Sequence, residues 1–252
     1  KCQRGDDGGG NFVMEPPCNL FYLENSQPDV EIRQYLSLTH LLDQLVRKKY
    51  SISQKNRFED ANEGKLPIQL TFHPLLANKL CDAKDDELLA RQNEKGDKFK
   101  DLSHGYVSCW TKDTDENILM WKSYAPQAGV CICSTISNFI ASFDADSFLK
   151  YDTYCAPVAY RTLNFTDDAE DALFVKQPYY KDEKEVRFLF LPKNQEEKAD
   201  SKIWLPVNHA VMIHKAILSP DIPIPAANSI KACLSKFGIK AELSKIKLNT
   251  NK

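Results

Sequence analysis

Apolar residues recur along this chain with two different periods. From Val30 to Leu36, Val30, Ile32 and Gln34 fall on one face and Glu31, Arg33 and Tyr35 on the other, the alternation of a strand. Directly afterwards Leu38, Leu41, Leu42, Leu45 and Val46 repeat at helical spacing, with Ser37 placed to cap the helix. The same reading predicts a short strand at 50–53, a loop at 56–64 and a charged helical insertion from Leu75 to about Lys100. Further strands are predicted at 105–111, 129–133, 154–161, 184–191, 203–207, 211–218 and 241–248. Helices are predicted at 117–124, 137–143 and 226–237, with an acidic helical stretch at 167–174. Gly129-Val130-Cys131-Ile132-Cys133 is nearly all apolar, as suits a central strand covered on both faces. Residues 1–18, with three consecutive glycines at 8–10 and Pro16-Pro17, read as a flexible lead-in, and 19–252 as a single domain. Short strands separated by unequal helices, without regular strand–helix alternation, imply an α+β fold.

One predicted strand breaks the ordinary apolar–polar division. In Lys181-Asp182-Glu183-Lys184-Glu185-Val186-Arg187-Phe188-Leu189-Phe190, the apolar row is Val186, Phe188 and Phe190, while Glu183, Glu185 and Arg187 share the opposite face. An unpaired buried charge is strongly disfavoured. These three groups therefore face solvent, pair with one another as a cross-strand ladder, or line a cleft.

Composition narrows the setting. The 252 residues carry a formal net charge of -2, with 42% hydrophobic and 27% charged residues. That balance argues against a dedicated nucleic-acid binder, which uses a basic excess to neutralise phosphates. No apolar run approaches the ~20 residues that span a bilayer, so no membrane partner is expected, and no leader segment is visible. Eight cysteines occur without a CxxC, and Cys109, Cys131, Cys133 and Cys155 sit in apolar strand-like segments. They read as buried free thiols in a cytoplasmic protein, and no zinc site is expected.

Familiar catalytic signatures are missing. The sequence holds no GxGxxG, GxxxxGK[ST], GxSxG or HExxH, and its five histidines (His40, His73, His104, His209 and His214) do not cluster. His40 reads as a helix-surface residue, His104 immediately precedes the 105–111 strand and stays a candidate, and the structural reading is favoured for every histidine. The remaining candidates lie on strands: Arg33 and Tyr35 on the first, Ser108 and Trp110 on one face of the third, Glu183 and Glu185 on the late one. Met120 and Tyr124 share a face of the 117–124 helix beside Trp121. These three form either core packing or a wall on which a nicotinamide or adenine ring stacks.

Arg, Ser and Glu-x-Glu, in this order and each on a strand, resemble the Arg–Ser–Glu arrangement of ADP-ribosyltransferases. The resemblance implies a mixed, largely antiparallel split β-sheet with flanking helices. It implies NAD as the substrate, Arg33 on its phosphate and ribose, and Ser108 (of Ser108-Cys109-Trp110, where the family often has Ser-Thr-Ser) on the nicotinamide-side ribose. Glu185 would then be the catalytic carboxylate, with Glu183 positioning or deprotonating the acceptor. Tyr35, Trp110, Trp121 and Tyr124 would complete the NAD-binding surface. A second set of motifs, Asn56-x-Phe58-x-Asp60-x-x-Glu63, Ser108 to Thr111, Met120-Trp121-x-x-Tyr124, Gly129 to Ile132 and Glu183-x-Glu185-x-Arg187, is similar to a widespread, largely uncharacterised prokaryotic domain family. That family occurs near phage-defence and abortive-infection genes, and the similarity runs from about Val30 to Leu248.

Three functions follow as expectations. The first is NAD-dependent ADP-ribosyl transfer, to a protein or a nucleic acid, or to water. The second is a non-catalytic interaction or regulatory module in which Glu183, Glu185 and Arg187 form a structural ion-pair row. The third is a metal-dependent nuclease built on Asp60, Glu63, Glu183 and Glu185.

Overall fold

The computed structural model describes residues 20–22, 28–54, 105–162, 173–194 and 201–246. The lead-in, the 56–64 loop with Asp60 and Glu63, the 75–100 insertion, His73 and His104 lie outside the described residues, as does most of the acidic stretch at 167–174. Along the chain the elements are β1 (Leu20–Tyr22), β2 (Glu31–Ser37), α1 (Leu38–Arg47), β3 (Lys49–Gln54), β4 (Tyr106–Thr111), α2 (Ile118–Tyr124), β5 (Gly129–Thr135) and α3 (Ile136–Ala141). They continue with α4 (Ala145–Lys150), β6 (Tyr151–Pro157), β7 (Ala159–Tyr160), β8 (Val175–Lys176), a 3₁₀ helix (Pro178–Glu183) and β9 (Glu185–Pro192). β10 (Lys202–Pro206), α5 (His209–Met212), β11 (Lys215–Leu218), α6 (Ile224–Ser235) and β12 (Ala241–Leu243) complete the described set.

Ten of the described strands form one mixed sheet in the order β1-β6-β9-β4-β2-β5-β11-β12, with β3 and β10 attached at β4. β1 runs parallel to β6 and β12 parallel to β11, and the other pairings in this sheet are antiparallel. With several helices around it, the sheet makes the fold α+β. The sheet splits along one edge of β4. β3 pairs there with Tyr106 and Val107, whereas β2 pairs only with Thr111. The stretch between them has no strand partner on that edge, and the Gln34 side chain fills in by donating from Nε2 to the Cys109 carbonyl at 3.1 Å.

Local chemistry explains most of the elements. Ser37 Oγ accepts from the His40 amide at the start of α1, and Lys48, in the left-handed region at φ 52, closes it by donating to the Gln44 and Leu45 carbonyls. Leu41 and Leu45 are buried as expected, but Val46 is 74% exposed and Gln44 is buried in its place. The principal core packs Ile32, Leu36, Trp110, Phe139, Phe188 and Phe190 on one face of the sheet. Phe139 stands at its centre, 5.2 Å from the Trp110 ring and 4.3 Å from Phe188. A second, smaller cluster of Tyr35, Trp121, Ala125, Cys131, Cys133 and Ile217 covers the opposite face of β5.

Several boundaries differ from the sequence expectation. The strand expected at 154–161 starts at Tyr151 and ends at Pro157, and Ala159–Tyr160 leaves the main sheet to pair with β8. The expected strand at 211–218 is divided: Asn208 accepts from the Ala210 amide and starts the short α5, so β11 begins only at Lys215. The last strand ends at Leu243. Helix α4, six residues long, was not anticipated because it is too short to display a period. Lys181 to Glu183 belong to the 3₁₀ helix, not to the strand.

Gly129 opens β5 where the end of α2 presses on it. A Cβ there would lie 2.4 Å from both the Cβ and the carbonyl oxygen of Ala125. Backbone cannot yield cheaply, so Gly129→Ala is expected to destabilise the fold by about 1–3 kcal/mol. Urea denaturation checks this; a midpoint equal to wild type would mean that α2 does not pack as described.

Candidate functional site

A cavity of about 610 Å³ opens at the split in the sheet, within the size range of small-molecule sites. Directly paired residues of antiparallel strands share a face. Arg33 pairs with Thr111, and Thr111 with Glu185, so three strands contribute one cross-strand row to the same wall. Arg187 and Cys109 form the next row.

Glu185 is 4% exposed and fully engaged. Its Oε1 accepts from Arg187 Nε at 2.7 Å, its Oε2 lies 3.0 Å from Lys176 Nζ, and the Cys109 thiol hydrogen-bonds to it. Its backbone amide donates to the Tyr160 hydroxyl at 2.7 Å. Burial works to raise the carboxyl pKa, but Arg187 and Lys176 outweigh it and hold the group at about 2. Burial, reinforced by the Glu185 charge, pushes the Cys109 thiol well up, so it remains protonated.

Glu183 reaches the same cation from a different element. Lys184 adopts φ 44, a left-handed turn that separates the 3₁₀ helix from β9. The Glu183 carboxylate nonetheless meets Lys176 Nζ at 2.6 Å and accepts from the Tyr124 hydroxyl at 3.0 Å. Its side chain is 19% exposed against 4% for Glu185, making it the more accessible carboxylate. Lys176 thus bridges two like charges whose mutual repulsion would otherwise oppose their approach. Burial, then the Glu183 charge, raises the Tyr124 pKa, so its hydroxyl stays a donor.

Ser108 and Trp110 project to the opposite face of β4, the core face, and the cavity reaches them through the split. The Tyr50 hydroxyl donates to Gln34 Oε1 at 2.9 Å. Having one proton, it must then accept from the Ser108 hydroxyl, 2.7 Å away. Ser108 Oγ in turn accepts from the Trp110 indole at 2.9 Å, leaving it one lone pair. Trp110 is 2% exposed and packs against Phe139, so the indole is chiefly a core residue.

Arg33 is 5% exposed. Its Nε and Nη2 donate to Glu31 Oε1 at 3.1 and 2.8 Å, and Nη2 also reaches the Thr114 carbonyl. No described residue takes the remaining Nη1 donors, and the side chain borders the cavity. Tyr35 and Tyr124 also line it. Trp121 does not: it is 4% exposed, lies edge-on to the Tyr35 ring at 4.9 Å and donates to Glu116 at 3.2 Å. It belongs to the core, because the helix that carries it turns Met120 and Tyr124 toward the cavity instead.

Some lining residues escaped the sequence reading. Lys176 sits in a two-residue strand with no periodic signal, and only its charge in an otherwise apolar setting marks it. Thr111 was visible as a strand end but not as the link between Arg33 and Glu185. His40, expected on the helix surface, is half-buried at the cavity wall and bonds to Ser51 Oγ at 2.9 Å. Glu183 and Glu185, two of the four carboxylates offered for a metal, are bridged by lysine, and no metal-ligand cluster occurs among the described residues. No described helix is long and apolar enough to cross a membrane. A scan against protein-family models and a search of curated proteins each returned no match for this sequence.

Proposed function

We propose that this cleft binds NAD and cleaves its nicotinamide–ribose bond, passing ADP-ribose to a protein, a nucleic acid or water. The observation that carries the reading is that Arg33, Ser108, Glu183 and Glu185, drawn from separate parts of the chain, all border one cavity of about 610 Å³. The donor set suits such a substrate. The Arg33 Nη1 donors, which no described residue takes, match a pyrophosphate oxygen, and the Ser108 lone pair accepts from a ribose hydroxyl.

In this reading the C1′–N bond breaks with its electron pair leaving on neutral nicotinamide. Positive charge develops on the ribose ring, and the Glu185 carboxylate, ionised well below neutral pH, stabilises it. Arg187 and Lys176 fix that carboxylate in place. The acceptor hydroxyl, or water, bonds to C1′ and loses its proton to Glu183, the more accessible carboxylate. The same chemistry agrees with the family resemblance of the sequence motifs.

One set of contacts favours a second reading. Glu185 is saturated by Arg187, Lys176 and Cys109, as a purely structural ion-pair row would be. A non-catalytic binding module would show these contacts too. Calorimetry with NAD tests the cleft itself. Wild-type protein is expected to bind, and Arg33→Met to bind about tenfold or more weakly through loss of a charge-assisted contact. Absence of binding at millimolar NAD removes the proposal.

A further inference from the structure

His40 and Ser51 form a hydrogen-bonded pair at the cavity wall that no role above explains. His40 lies in the first turn of α1, its amide held by Ser37 Oγ at 3.2 Å. The left-handed Lys48 then turns the chain back, so that β3 brings Ser51 to the imidazole. Ser51 Oγ and His40 Nε2 are 2.9 Å apart, and both residues are partly exposed and line the cavity. Burial and then the Lys202 charge lower the His40 pKa, so the ring is neutral at pH 7. A serine hydroxyl within hydrogen-bond reach of a neutral imidazole is the pairing of a nucleophile with its base.

Strand register gives the pair its place. Ser53 pairs directly with Val107, so Ser51, two residues earlier, projects on the sheet face that carries Val107, Cys109 and Thr111. Thr111 pairs with Glu185, so Ser51 and Glu185 open onto the same cavity from the two sides of the split. The Gln54 amide donates to the Ser201 carbonyl at 3.0 Å, on the β10 side. Strand amides alternate between edges, so the Ser51 amide points the other way, into the split. There β4 pairs with β3 only at Tyr106 and Val107.

We infer that Ser51 is a nucleophile of this cavity, with His40 as its general base, and that it takes the acyl group of a small carboxylic ester. With the ring proton on Nδ1, Nε2 accepts the Ser51 proton as Oγ bonds to the carbonyl carbon. The carbonyl π pair moves onto oxygen, and the Ser51 amide donates to it. An ester suits a site with a single such amide, because its alkoxide leaves more readily than an amine. Collapse breaks the ester bond, and the leaving alkoxide takes the proton from Nε2. Water then attacks the acyl carbon and passes a proton to Nε2; the carboxylic acid leaves as the Ser51 oxygen regains that proton. None of these steps uses NAD, so the dyad stands or falls apart from the reading above.

A fluorophosphonate probe, which bonds to a serine oxygen as fluoride leaves, tests the dyad when the adduct is located by peptide mass spectrometry. Wild type is expected to carry the adduct on Ser51. His40→Gln, shown to be folded by circular dichroism, is expected to label about a hundredfold more slowly or worse, the usual scale of lost base assistance. Ser51→Ala, a small change at a partly exposed position, is expected to lose the p-nitrophenyl acetate turnover that wild type shows. Absence of an adduct on Ser51, equal labelling of wild type and His40→Gln, or turnover retained by Ser51→Ala overturns the inference and leaves the NAD reading untouched.

Discussion

Arg187→Met is expected to lower the unfolding free energy by about 3–5 kcal/mol, the usual cost of removing one member of a buried ion pair. Arg187 is fully buried on β9, with Nε on Glu185 Oε1 and Nη1 on the Leu173 carbonyl. Met has a similar reach but no charge, so the loss falls on Glu185, which is left in a buried site with Lys176 as its remaining cation partner. Adding Glu185→Gln to the same protein is expected to recover part of the loss, giving a non-additive cycle. Urea denaturation at pH 7 measures both; a single-variant loss under about 1 kcal/mol would contradict this role.

The same pair sets the acid limb of stability. Glu185 is held at about 2 in the folded protein against an ordinary value of 4.5. A depressed carboxyl stabilises the fold fully above the unfolded value, and the contribution is lost as pH falls from about 4.5 toward 2. Its size is on the order of 3 kcal/mol, and Arg187→Met is expected to flatten that part of the curve.

How much of this arrangement the letters carry depends on the kind of signal. Helix α1 was legible because its leucines repeat and Ser37 caps it, and β5 because nearly every residue is apolar. Along β9 the alternation of Val186, Phe188 and Phe190 against Glu185 and Arg187 holds residue for residue. Glu183 left that face because Lys184 turns left-handed, and a lysine carries no glycine-like mark of such a turn. The common face of Arg33, Thr111 and Glu185 depends on strand register, which pairing sets and composition does not. Ser108 differs in parity from Thr111 on its own strand, so it reaches the cavity only because the sheet splits beside it. Lys176 is long-range information altogether: its importance lies in touching Glu183 and Glu185.

The second large effect expected is on catalysis. Glu185→Gln keeps the size of the side chain and can still accept from Arg187, but it removes the negative charge that, in the proposed mechanism, faces the developing ribosyl cation. Loss of a preorganised electrostatic group of this kind slows turnover by about 10²–10³-fold. Glu183→Gln is expected to act differently, impairing transfer to the acceptor more than nicotinamide departure, because its place is at the accessible side of Lys176. Circular dichroism and NAD calorimetry on each variant separate these effects from loss of fold or of binding.

Nicotinamide release from NAD, followed for wild type and Glu185→Gln side by side with and without a cell-extract acceptor fraction, tests the proposal of an NAD-cleaving cleft most directly. The expected result is release by wild type that falls at least a hundredfold in a folded, NAD-binding Glu185→Gln protein. Equal release by the two proteins, or none by wild type under any acceptor condition, would contradict it and leave Glu185 as a structural ion pair.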